Sequence, residues 1–462
     1  MEAELPPTAD DRGPLLAAVR ERLRALRREP GYDAGPDRFL ERVRTVVVIG
    51  SSSRGGSSIF AEILRRTPQL LHFRAEVNPF FVLAGLSWPE SGTGCDALCA
   101  MDAPTRTDDL SADLAFDCGT ALDTLPDEAS VARFVVDLTV RLTLQWPTVA
   151  VALPDVRAAV AATLATLEDQ HGWPPGGFPD AQLFHVLFLA RMRRIYPTIN
   201  PHYYDISRAL VELHDPTAPL PDGPPSLLLI EEPPFVPIVP WRRASIEALG
   251  TRPVIVKTPS NAYRLPFLQA LFPNAEIKLL HLTRNVAASV NGLYDGWRFP
   301  GFYSHRVHLP LRIAGYTDTF PAWGDRWWKF DLPPNWQAWT DRDLEEVCAF
   351  QWRSAHRAIL DWIAGDPARR DRVLRLRFED VVGARERRED LFGALAQWLG
   401  ITLDPPLTAL LDGALPPVMA TEAPRHRRWF KRADLLSPVL SDPLSRELME
   451  QLGYASDPTT WA

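Results

Sequence analysis

The 462-residue chain has no basic excess: 50 Lys and Arg stand against 58 Asp and Glu, a formal charge of −8. A general nucleic-acid binder needs clustered positive charge to displace counterions from a polyanion, so no nucleic-acid partner is expected. No stretch reaches the roughly 18 to 20 consecutive apolar residues of a membrane helix. The acidic start, MEAELPPTADDRGP, lacks the apolar core of a signal peptide. The protein is therefore expected to remain in the cytoplasm with no transmembrane segment. Cysteine is scarce as well. Cys95, Cys99, Cys118 and Cys348 do not make a disulfide framework in a chain this long, and the first three lack a histidine at finger-like spacing, so no metal is expected.

What is present is an ordinary globular balance, 46% hydrophobic and 23% charged, which excludes disorder as the default. Length alone allows two or three domain-sized units. The 44 prolines are about twice the usual ~5% and predict many short connectors; the 15 tryptophans predict a large aromatic core or surface.

Residues 14–29 carry Leu15, Leu16, Val19, Leu23 and Leu26 at helical spacing with arginines opposite, the pattern of a packing helix. Thr45 to Ile49 reads as a buried strand. It runs into Gly50-Ser-Ser-Ser-Arg-Gly-Gly-Ser-Ser58 and then a helix from Ile59 to about Arg66, stopped before Pro68. From about 90 to 250, helical patches (Val131–Thr143, Ala181–Tyr196) alternate with proline-rich connectors. Strand-like runs resume at 253–257, 276–282 and 373–378, each followed by loop or helix signals, which predicts parallel strands with helical crossovers. The expected organisation is an N-terminal helical segment (1–40), one α/β core (41–90 and 250–462) and a helical, proline-rich insertion (91–249) that binds an acceptor.

The glycine-serine loop is built for a phosphate-like group. Gly50, Gly55 and Ser57 fit the frame of a Walker loop, but Gly56 stands where the lysine belongs, and the cation is Arg54. Backbone N–H groups of residues 54 to 58 at a helix start can still cradle an anion, and Arg54 adds a planar donor fork. Nucleoside triphosphate hydrolysis is poorly served by such a loop.

Ser53-Arg54-Gly55-Gly56-Ser57-Ser58 resembles the 5′-phosphosulfate loop of sulfotransferases that use 3′-phosphoadenosine 5′-phosphosulfate (PAPS), roughly P-[KR]-S-G-[TS]-[TS]. It departs from that pattern at Ser53 and Gly55. Leu280-His-Leu-Thr-Arg284, running into a helix that holds Ser289, is similar to the family's 3′-phosphate site. Val256-Lys257-Thr258-Pro259 closes a strand where the family has a lysine near the transferring group. Arg377-Phe-Glu-Asp-Val381 resembles its R-[YF]-E-D-L segment, and Arg425-His-Arg-Arg428-Trp-Phe-Lys431 its late basic loop. The resemblance covers about 41–90 and 250–462. It implies a P-loop nucleotide-binding, three-layer α/β fold with a central parallel sheet, and PAPS as cofactor without a metal. It also implies a nucleotide site of Arg54, Gly55, Gly56, Ser57, Ser58, Arg284, Ser289 and Arg428.

Sulfuryl transfer to a hydroxyl needs cations on the leaving group and a base for the acceptor proton. Arg54 and Lys257 suit the first role. The family's histidine base would fall at Pro259, so the expected base is of the glutamate type, Glu76, with His72, Glu231 and Glu232 as alternatives. A surface carboxylate paired to Arg74 is the structural reading of Glu76, and Glu379 and Asp380 are expected to brace the fold. Acceptor identity is not legible beyond a small molecule, lipid or glycan. Tyr294-Asp295-Gly296-Trp297 is placed to face it, and the tryptophans of 323–352 either wall the pocket or fill the core. A P-loop kinase and a non-catalytic binding protein remain open at this point, and the sequence is compatible with a homo-oligomer.

Overall fold

Four branched apolar residues in a row, Val46 to Ile49, leave strand β1 (Thr45–Gly50) no polar face, so both faces must be covered. The computed structural model describes residues 9–104, 107–232, 237–413 and 427–457, with residues 415, 418, 421 and 461 besides. In it Val46 and Val48 pack on one side with Phe39, Phe73 and Phe267, while Val47 and Ile49 pack on the other with Phe60, Ile63 and Phe392. The alternation puts one hydrophobic core on each side of the sheet and makes three layers. The N-terminal helix, Ala9–Leu26, contributes Leu16, Val19 and Leu23 to the first of these cores.

The other strands are β2 (Leu71–Phe73), β3 (Cys118–Ala121), β4 (Trp241–Arg243), β5 (Val254–Lys257), β6 (Glu276–Thr283), β7 (Tyr303–Arg306), β8 (Trp327–Lys329) and β9 (Val373–Arg377). Seven form one sheet in the order β4-β3-β2-β5-β1-β6-β9, and β7 and β8 form a separate ribbon. β2, β5, β1, β6 and β9 run parallel, as the crossover pattern predicts for all but β2, where no strand is expected from the sequence. β3 and β4 add antiparallel to one edge. Residues 91–249 are thus mostly helical and also extend the sheet. Their helices Glu128–Gln145, Leu153–His171 and Ala181–Ile195 share a core of Phe134, Trp146, Val160 and Phe184.

That edge is held by buried charge. Asp137 on the first of these helices meets Arg74 at 3.0 Å and Arg243 at 2.6 Å, and Arg141 meets Asp117 at 2.8 Å. Phe116 lies under both Arg74 and Arg243. Removing one member of such a network strands the others without water, which costs more than the network contributes. Asp137→Ala is expected to destabilise the fold by about 3–5 kcal/mol, read by chemical denaturation; a change below about 1 kcal/mol, the scale of an exposed pair, would contradict it.

Of the tryptophans of 323–352, Trp327 joins a small cluster with Tyr203, Leu229 and Tyr303, while Trp328, Trp336 and Trp352 are buried in a further core between helices Val286–Trp297 and Leu344–Ala364 and the C-terminal helices. Trp297 belongs there and does not face an acceptor. It is fully buried, its indole N–H donates to Gln351 Oε1 at 2.9 Å, and its ring stands edge-on to Tyr316 and Trp328. Helical periodicity turns position 297 inward. Among the described residues, no helix is long and apolar enough to cross a membrane.

β1 lies between β5 and β6, and the chain leaves it first toward one side and later toward the other. The crevice at the carboxyl ends of these three strands is the topological switch point, where open α/β sheets take ligands.

Candidate active site

The register fixes what meets in that crevice. Ile49 of β1 is level with Lys257, the last residue of β5, and Gly50 is level with His281, so Arg284 emerges just beyond on the β6 side. A cavity of about 900 Å³ opens there, lined by Arg54, Gly56, Ser57, Ser58, Glu76, Lys257, Arg284 and Arg428. Two residues expected in the nucleotide site are not on its wall. The Gly55 N–H is used inside the loop, donating to the Ser52 carbonyl at 3.1 Å, and a side chain there would fall 2.2 Å from Ser51 Oγ. Ser289 is fully buried with its hydroxyl 3.4 Å from the Arg284 carbonyl; Ala288, Asn291 and Gly292 of the same helix line the cavity instead.

The loop between β1 and helix Ser57–Arg65 holds two left-handed residues, Arg54 (φ 60) and Gly56 (φ 96). A non-glycine residue in that region costs about 1–3 kcal/mol and persists where surroundings dictate it. Gly56 is also required by space, since a Cβ there would fall 2.1 Å from the Phe378 ring. Helix Ser57–Arg65 follows with no side-chain cap and no acidic residue in its first turn, an arrangement that favours an anion. Ser53, standing where the resembled pattern has proline, donates its hydroxyl to Asp331, and Tyr263 donates to the other oxygen of that carboxylate at 2.8 Å. A hydrogen-bonded brace thus does what a rigid ring would do, and burial pushes Asp331 up to about 6.

Three guanidiniums crowd one end of the cavity. Burial pushes Arg54 down to about 10, and the charges of Arg284 and Arg428 add to the effect. Arg284 is also lowered by burial, reinforced by Arg428 and opposed by Glu379. Its side chain donates to the Arg54 carbonyl at 3.1 Å and lies over Phe378 at 4.9 Å, while Arg54 lies over Phe302 at 5.1 Å. Arg428 and Arg432 share the Asp295 carboxylate, and Arg432 also reaches Asn291 Oδ1 at 2.6 Å, so this basic segment is fastened to helix Val286–Trp297. Arg425 and His426 lie outside the described residues. Repelling cations held together in a half-dry site are stabilised by a ligand of several negative charges. Glu379 braces the same corner, accepting from the backbone and side chain of Asn285 at 2.9 and 2.7 Å and from Tyr454 at 2.9 Å.

The opposite end of the cavity is acidic. Glu76 is bonded to Lys257, while Arg74 is turned into the Asp117–Asp137 network. His72 is buried under the phosphate-loop helix with Nε2 3.2 Å from the Leu64 carbonyl, and burial holds it down to about 3. It does not line the cavity. Glu231 is bonded by Arg141, and Glu232 accepts from Ser304 Oγ at 2.6 Å. Sequence reasoning missed His305 and Asp96, which also line this end; His305 Nε2 stands 3.3 Å from the Asp96 carboxylate. Asp96 is held in turn by Ser260 Oγ at 2.7 Å and the Leu332 N–H at 2.9 Å. A register shift between Tyr303 and His305 in the β7–β8 ribbon lets the adjacent Ser304 and His305 both reach the wall. No motif surrounds either residue.

No protein-family model matches the chain, and no curated protein matches it. Three solved structures are similar at low identity. The sulfotransferase domain from the curacin biosynthetic pathway is 12% identical, covering 90% of this chain and 100% of that one with a TM-score of 0.37. The sulfotransferase domain from the Synechococcus olefin synthase is 14% identical, with 92% and 99% covered and a TM-score of 0.34. A sulfotransferase from Mycobacterium avium is 12% identical, with 96% and 85% covered and a TM-score of 0.35. At these TM-scores no residue role or substrate is carried over to this chain.

Proposed function

We propose that the protein is a sulfotransferase that moves a sulfuryl group from PAPS to a hydroxyl of a small-molecule, lipid or glycan acceptor. The observation that supports it most is the convergence of Arg54, Lys257 and Arg284 at the carboxyl ends of three adjacent strands, beside an uncapped helix start. The mutually repelling guanidiniums fit a nucleotide with two separate anionic groups. Arg54 and the N-terminus of helix Ser57–Arg65 would hold the 5′-phosphosulfate, and Arg284 with Arg428 the 3′-phosphate. PAPS supplies the activated sulfuryl group. The acceptor oxygen bonds to sulfur as the bond from sulfur to the bridging phosphate oxygen breaks, and the hydroxyl proton passes to Glu76. Lys257 meets the charge that develops on the leaving side, and Glu76 keeps Lys257 aimed there.

Calorimetry with 3′-phosphoadenosine 5′-phosphate (PAP) tests the reading. Tight binding without magnesium is expected, and no binding would overturn it. Magnesium-dependent ATP binding in its place would point to a kinase, against which Gly56 at the Walker lysine position already speaks.

A further inference from the structure

The acidic end of the cavity contains carboxyl groups that the protein leaves short of positive charge. Glu231 and Glu232 are consecutive, and both line the cavity with Glu76. Lys257 is engaged by Glu76, and Arg141 bonds one oxygen of Glu231. The second Glu231 oxygen has no hydrogen-bond partner among the described residues, but the side chain is fully buried against Arg141 and closed off from the cavity that the residue borders. Glu232 accepts from a neutral hydroxyl, and no ion pair reaches it among the described residues.

The cations nearby are committed elsewhere. Lys329 donates its ammonium to the carbonyls of Phe299 and Gly301 and is walled by Tyr303, Tyr316, Phe320 and Trp323. Arg12, at the cavity edge, is bonded to Glu90, and His305 faces Asp96. Arg306 lines the wall beside His305 and has a partner of its own. Burial pushes Glu231 up to about 7 and Glu232 up to about 8, and the charge of Glu76 adds to both; Arg141 opposes the shift of Glu231, and Ser304, Lys329 and Lys257 oppose that of Glu232 without cancelling it. A half-buried carboxyl in this condition, as Glu232 is, is relieved by a cation that brings its own charge into the site.

We propose that the acceptor carries that cation: it is an amphiphilic amino alcohol whose ammonium binds at Glu232 while its hydroxyl points to Glu76 and Lys257. Val82, Leu229 and Ile230 line the same cavity and receive the apolar part. The placement of the hydroxyl rests on the sulfuryl-transfer reading; the ammonium site does not.

The test is calorimetry on the full-length protein, with and without PAP, using ω-amino alcohols from butyl to decyl and the diols of equal length. The amino alcohols are expected to bind about tenfold or more tightly than the matched diols, the order of one charge-assisted contact. Because Glu232 must ionise to pair, binding releases protons near neutral pH, and affinity falls as pH falls below about 8. Glu232→Gln should abolish the preference and leave PAP affinity unchanged. If diols bind as tightly as amino alcohols while PAP still binds, the proposal is overturned and the sulfotransferase reading stands. If PAP fails to bind and the amine preference persists, the reading falls and the ammonium site remains. Should the variant not fold, the wild-type profile decides: affinity for the amino alcohol that is independent of pH overturns the proposal.

Discussion

Arg54→Ala is expected to lower turnover of the sulfated alcohol by about 10²- to 10³-fold, the usual loss when one preorganised donor to a developing charge is removed. The expectation follows from where the guanidinium sits. It is fixed on a left-handed residue, backed by Phe302 and crowded by Arg284 and Arg428. Burial and the two neighbouring guanidiniums work against the folded state before a ligand arrives, and outweigh the opposing charges of Asp295 and Asp205. Burial and like charge lower its pKa below the unfolded value, and a base whose folded pKa is depressed destabilises the fold wherever it remains charged, here up to about 10. The variant should therefore be as thermally stable as the parent or more so while losing activity, the signature of a site held ready at the expense of stability. Arg54→Lys should recover part of the loss, since it restores charge without the planar fork. Near-parental turnover in Arg54→Ala would remove this residue from the reacting centre.

Four of the five parallel strands were legible, β1 and β5 most plainly, because burial on both faces leaves a nearly continuous apolar run; the three-residue β2 was not. β3 and β4 were not. Cys118-Gly-Thr-Ala121 and Trp241-Arg-Arg243 are short, and much of what joins them to the sheet is charge paired with a helix far away in sequence. At the site, Arg54, Lys257 and Arg284 could be read one by one because each lies at or just beyond the end of a strand. Ser289 could not be placed from spacing alone, since a shift of one position on a helix turns a side chain by about 100° from the cavity to the core. Asp96 and His305 meet only through the fold: one lies in a connector, the other on a ribbon whose irregular register no local pattern announces.

Glu76→Gln carries the other large expectation, a loss of about 10²- to 10⁴-fold in turnover. Glutamine keeps the shape and a hydrogen bond to Lys257 but can neither take a proton nor balance the lysine's charge. The two contributions separate by measurement. If Glu76 takes the acceptor proton, the variant binds PAP as the parent does and loses its loss-of-proton limb in the pH–rate profile, and His305→Ala is far milder. If Glu76 serves only to hold Lys257, Glu76→Gln and Lys257→Ala are each as damaging as the double variant and both weaken nucleotide binding, because one interaction has been cut from either side. In that outcome the proton acceptor is His305, whose ring nitrogen is already held by a carboxylate fixed through Ser260 and the Leu332 amide, the arrangement that orients an imidazole for proton transfer.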